Sequence, residues 1–212
     1  MDNKTYIWNN LLADIGNEYG VSALMGNLQA ESGLIPYRLQ GDFSTGYTTS
    51  IEYTAKVDSG EISEYDFVNN GPGGGGYGLA QWTFYTRKQE LYNLKVSGGY
   101  SSIGSIELAV DFLLIELKRD YPSVYNTLKT TTSIRDASDK VLHEFERPAD
   151  QSEAVEITRY NLSLNIYEEF TGTTPDEPDE PIIPIFKRKK KFNFILFGRN
   201  TRLRRQRIYG QR

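Results

Sequence analysis

The stretch "LMGNLQAESGLIP", residues 24–36, decides the reading of this chain. Val21, Leu24, Met25 and Leu28 follow the i, i+3, i+4, i+7 spacing of a buried helical face, and Glu31, three residues further on, continues that stripe. Ser32-Gly33 and then Pro36 read as a helix stop, so Glu31 falls in the last turn. A carboxylate there meets desolvation and the negative end of the helix dipole, and both favour its protonated form. A carboxyl held protonated near neutral pH is what a glycosidase needs to protonate a leaving oxygen. The other reading of Glu31 is a surface residue near a frayed helix end.

Composition narrows the chemistry. The 212 residues include no Cys and one His, His143. A thiolate enzyme needs Cys, and zinc sites usually draw three or four ligands in which His or Cys is prominent. No metal and no cofactor is therefore expected. A Ser-His-Asp hydrolase lacks its G-x-S-x-G elbow, and "VLHEFERP" reads as an amphipathic helix approaching Pro148, with His143 structural. Acid catalysis by carboxyl groups survives.

Charge divides the chain. Residues 182–212 carry eleven Lys and Arg and no acid, which leaves thirteen basic and twenty-eight acidic residues before them, a net charge of −15. Between lies "TGTTPDEPDEP", residues 171–181, a stiff, solvated linker by its Pro and acidic content. Three parts follow: a folded domain over 1–170, the linker over 171–181, and a basic tail over 182–212. The tail interleaves cations with Ile182, Ile183, Ile185, Phe186, Phe192 and Phe194, which suits docking into another protein; nucleic acid or an anionic polymer is the alternative partner. The N-terminal "MDNKTYIWNNLLADIG" has neither the basic nor the apolar region of a secretory signal, and no apolar run approaches the ~20 residues of a membrane span.

Within the domain, helices are expected near 4–18, 20–31, 82–95, 105–119, 122–129, 134–146 and 151–170, with Ser22 and Ser105 as caps. Residues 37–76 are rich in Gly, Ser, Thr and Tyr and predict turns, a short helix or small strands. The fold class is α+β, mostly helical, with a small mixed lobe beside a helical lobe and a cleft between them.

"GNLQAESGLIP", "YTAKVDSG", "GYGLAQWTFYTRKQELY" and "HEFERPAD", in that order, resemble the phage tail lysozyme family, whose members degrade peptidoglycan from virion tails or conjugation machinery. The pairing of "ES" with a later "GLAQ" is also similar to lytic transglycosylases and goose-type lysozymes. The resemblance covers about residues 5–170 and implies a lysozyme-like fold with Glu31 as the catalytic acid. It implies cleavage between N-acetylmuramic acid and N-acetylglucosamine, through an oxocarbenium-like centre.

Other residues are read around that centre. Asp42 is either a second carboxylate, with Thr48 positioning water, or a turn residue. The family pattern places an Asp before "GYGLAQW"; here Asn69-Asn70-Gly71 and a glycine run stand there, and Asp66 is the nearest carboxylate. The Gly73 to Gly76 run has no phosphate-loop spacing and reads as a surface loop. Tyr77, Gly78 and Gln81 are candidates for binding the glycan, Gly78 by letting the backbone approach it and Gln81 by bonding an acetamido group or Glu31 itself. Trp82 either stacks on a sugar or belongs to the core, and Tyr160 and Tyr167 are placed near Glu31 by the transglycosylase resemblance. The expected protein is a muramidase in a phage tail tip or knob, acting at the host wall. Alternatives are a lytic transglycosylase leaving 1,6-anhydro ends, or a catalytically silent wall-binding or tail structural protein.

Overall fold

The computed structural model describes residues 2–42, 45–70 and 75–176. The basic tail, the linker from residue 177 on, and Gly73 and Gly74 lie outside the described residues.

The helix that carries Glu31 is the hub. Helix α2 (Glu18–Ser32) starts where the Asn17 side chain accepts from Tyr19 N and Gly20 N, and ends at Gly33, whose positive φ of 66° turns the chain while its N–H bonds Gln29 O. Every residue from Gly20 to Leu28 is buried. A helix buried all round must be packed on all sides, and α2 is surrounded by α1 (Asn3–Ile15), α7 (Pro122–Thr130), α8 (Ile134–Lys140) and α9 (Glu153–Thr171). α9 lies closest. A Cβ on Gly26 would stand 2.0 Å from Ser163 Oγ and 2.6 Å from its backbone N, so only glycine lets the two helices touch at this point. Ser22, expected as a cap, is instead buried inside α2, because Asn17 begins the helix five residues earlier.

The rest completes the shell. α1 turns Ile7, Trp8, Leu11 and Ile15 inward, and Trp8 stacks on Phe170 of α9 at 4.5 Å. α5 (Tyr85–Gly98) and α6 (Ile106–Arg119) precede α7, α6 capped by Ser105 as expected. α8 does not simply continue to residue 146: Val141–Glu146 form a π-helical turn, closed by Arg147 N donating to Leu142 O and by Arg147 at a φ of 49°. π turns are rare and cluster at functional sites.

In the described part of the lobe over 37–76 the expected turns and helix form, and strand is almost absent. Among the described residues it holds a 3-10 turn (Thr45–Tyr47), α3 (Thr48–Ser59) and α4 (Glu64–Asn69), and its strand-like content is two isolated bridges, Leu39 with Tyr77 and Tyr77 with Trp82. The protein is mostly helical. Side chains explain the difference: Tyr53 and Val57 of α3 and Phe67 and Val68 of α4 are buried, giving each segment an apolar helical face that Gly- and Thr-rich composition disguises. No described helix is long and apolar enough to cross a membrane.

Candidate active site

Glu31 lines a cavity of about 560 Å³ whose other walls come from distant segments: Arg38 to Gly41, Ala80, Gln81, Thr83 and Phe84, Arg87 of α5, and Glu146 to Ala149. The carboxyl is not isolated in an apolar stripe, as its spacing suggests. Arg159 of α9 donates through its Nη2 to Glu31 Oε1, and its Nη1 bonds Asn27 O at 3.3 Å and Asn27 Oδ1 at 3.2 Å. The Gly26–Ser163 contact favours this arrangement, since Arg159 lies one turn before Ser163 on α9 while Asn27 adjoins Gly26 and Glu31 follows five residues on along α2. Asn27 is fixed in turn, donating to Ala23 O and to Ser138 on α8. The Glu31–Arg159 pair is largely withdrawn from water, with side chains 19% and 7% exposed.

Glu146 is the residue that the sequence did not disclose. It ends the π turn on the wall of the same cavity, and its Oε1 is buried with no hydrogen-bond partner. Burial pushes its carboxyl well above the ordinary 4.5; the nearby Glu31 charge acts in the same direction, and Arg87 and Arg159 oppose it. A carboxyl biased toward its protonated form therefore shares the cavity wall with the Glu31–Arg159 pair. "HEFERPAD" was part of the resemblance, but nothing in its spacing marks Glu146 as inward-facing.

A second ion pair supports the floor. Glu116 of α6, 1% exposed, accepts from Trp82 Nε1 at 3.0 Å, from Arg87 Nη2 at 2.7 Å and from Arg87 Nε. Trp82 thereby belongs to the core, fully buried and edge-on to Phe112.

The other expected site residues divide. Gln81 reaches the cavity, at a φ of 46°, but its Nε2 donates to Arg38 O at 3.1 Å and Gly78 O at 3.0 Å rather than to Glu31. Tyr77 points into the core: it is 1% exposed, its hydroxyl bonds Thr54 Oγ1 at 2.7 Å, and Phe67 packs edge-on at 5.3 Å. Burial raises its pKa. Gly78 makes a close approach, yet to protein: with a φ of 81°, a Cβ there would stand 2.7 Å from the Trp82 ring and 3.3 Å from Pro36 O. Neither Tyr77 nor Gly78 lines the cavity. Asp42 is buried in the turn before α3, where Ser50 N (2.7 Å) and Ser50 Oγ (2.5 Å) donate to it, and Thr48 is exposed at the start of that helix. Those bonds fix Asp42 as an anchor of the lobe, off the cavity wall. Asp66 is held below its ordinary value by Ser63 and Asn70 on exposed α4. Tyr167 stacks on Tyr19 at 5.0 Å, Tyr160 lies under Arg135, and neither lines the cavity. His143 sits on the surface between Gln151 and Glu156. Among the described residues no group of three or more His, Asp or Glu is placed to hold a metal.

The model of a known family, phage tail lysozyme, matches residues 2–170. The chain belongs to the phage tail lysozyme family. The match spans the whole helical domain, from the first residue before α1 to the last turn of α9. No curated protein and no solved structure matches the chain. Family membership makes this a phage protein whose function is peptidoglycan degradation.

Proposed function

We propose that the chain cleaves the glycan strand of peptidoglycan as a muramidase, with Glu31 as general acid and Glu146 as its partner carboxyl. The observation that carries this reading is the meeting of two carboxyls from segments more than a hundred residues apart on one cavity wall, one paired with Arg159 and one buried with an oxygen that has no hydrogen-bond partner. Burial and the neighbouring Glu31 charge bias the Glu146 carboxyl toward its protonated form, which makes it a proton source for the cavity. Glu146 passes its proton to Glu31, which delivers it to the glycosidic oxygen as the bond to the anomeric carbon breaks, leaving both carboxyls ionised. Arg159 fixes the direction of the Glu31 carboxyl. A water oxygen then bonds the anomeric carbon, and its released proton returns to the pair through Glu146.

One feature favours a lytic transglycosylase as the second reading. A raised Glu146 pKa disfavours the ionised form that would activate water, and the sugar's own 6-hydroxyl needs less activation because it is already held beside the reacting carbon. The peptidoglycan substrate, delivery in a virion tail tip or knob, and tail proteins as partners of residues 182–212 complete the proposal.

Purified cell walls test it. Glu31→Gln and Glu146→Gln should each reduce release of soluble muropeptides by at least about 10²-fold. Mass spectrometry of the wild-type products separates hydrolysis from transglycosylation, whose 1,6-anhydro ends are lighter by one water. Because the Glu31→Gln change leaves Arg159 without its anion, circular dichroism must accompany the assay. A folded wild type inactive on every wall tested would instead support the structural-protein reading, and near-wild-type lysis by a folded Glu31→Gln variant sinks the assignment of the acid.

A further inference from the structure

Phe84 is out of place for a residue with only a structural task. It is 71% exposed, although large apolar side chains of the same motif, Trp82 and Leu79, are fully buried. It stands at the N-cap position of α5, where its backbone O accepts from Lys88 N but its side chain makes no capping hydrogen bond, so helix initiation does not call for an aromatic ring. Its location does. Phe84 and Arg87 line the Glu31 cavity and also line a second depression of about 490 Å³, whose far wall is formed by Thr86, Glu90, Arg119 and Tyr121. The two hollows therefore meet at one exposed aromatic ring and one guanidinium.

Both walls carry ion-paired side chains. Arg87 is held by two bonds to Glu116 and lies 5.3 Å over the Phe145 ring, while Arg119 is bound to Glu90 and Asp120. The depression is thus a preformed polar trough at whose mouth the ring lies. Such a profile, a flat apolar platform flanked by fixed hydrogen-bonding groups, fits a ligand that is apolar on the faces of its rings and polar around their edges. A pyranose chain has that chemistry.

Resting on the glycan reading above, we infer that Phe84 is a sugar-stacking platform carrying the strand out of the Glu31 cavity into the second depression, whose lining binds sugars remote from the cleaved bond. Binding energy gained there improves retention and positioning of long strands and does nothing for fragments too short to reach it.

The test uses the full chain and β-1,4 N-acetylglucosamine oligomers of increasing length, titrated by calorimetry into wild type, Phe84→Ala and Phe84→Trp. The expected result is that wild-type affinity rises with length to a plateau, that Phe84→Ala abolishes the last part of this rise, with roughly tenfold weaker binding of the longest oligomers, and that Phe84→Trp restores it. The shortest oligomers should show the smallest difference among the three proteins. On purified walls Phe84→Ala should raise KM by a larger factor than it lowers kcat. Binding of all lengths unaffected by Phe84→Ala overturns the platform while leaving the glycan reading intact. Wild type that binds no oligomer of any length overturns both.

Discussion

Glu146→Gln should make the protein more stable at neutral pH while it destroys activity. Burial, reinforced by the Glu31 charge, raises the folded-state pKa of Glu146 above the 4.5 ordinary for glutamate. In the interval between those two values the native protein keeps a proton that the unfolded chain has released. Since the folded state then binds more protons than the unfolded one, stability falls as pH rises, by about 1.4 kcal/mol per pH unit from this group. The loss is complete above the folded pKa and absent below about pH 4.5. Gln has nearly the same shape and no charge to bury, so the variant escapes the penalty. For a domain of this size about 1 kcal/mol moves Tm by roughly 2–4 °C, and each pH unit inside the interval should add about 3–6 °C to the advantage of the variant. Calorimetric scans of both proteins from about pH 4 to pH 8 measure it. The expected trace is coincidence at the acid end, divergence with rising pH, then a constant gap. A Tm difference independent of pH refutes the argument, because it would mean that Glu146 titrates alike in the folded and unfolded chains.

Gly26→Ala should destabilise by about 1–3 kcal/mol, toward the upper end because the methyl meets the Ser163 backbone as well as its side chain; chemical denaturation measures it, and lysis of walls should fall further than stability explains, since α9 carries Arg159. His143 has a raised folded-state pKa, caused by its bonds to Gln151 and then Glu156. Its contribution to stability is present below about pH 6.5 and disappears as pH rises through the folded value, so the Tm deficit of His143→Gln should be larger at about pH 5 than at about pH 8, and lytic activity should survive the change.

Much of this molecule could be read from neighbouring residues alone. The stripe of Val21, Leu24, Met25 and Leu28, with Gly33 and Pro36 beyond it, gives the central helix and its end, because a buried helical face and a left-handed cap are local demands on the chain. Ser105 announces α6 for the same reason. The absence of Cys and the single His bound the available chemistry before any coordinate is known. The quoted motifs also sufficed to indicate the family. Local reasoning failed where composition masked a helical face, as in α3 and α4, and where side-chain direction depended on a distant neighbour: the Tyr77 hydroxyl turns inward because Thr54 waits there, and Gly78 is small because the Trp82 ring covers it. The site was least legible. Arg159 reaches Glu31 across 128 residues through a helix crossing that depends on the missing side chain of Gly26. Glu146 enters the cavity because a π turn, which packs more residues into each turn than a 3.6-residue period assumes, rotates it off the face that periodicity would give it. A sequence states which residues prefer burial, but the pairing of two charges is a property of where two helices cross, and only the tertiary structure decided that.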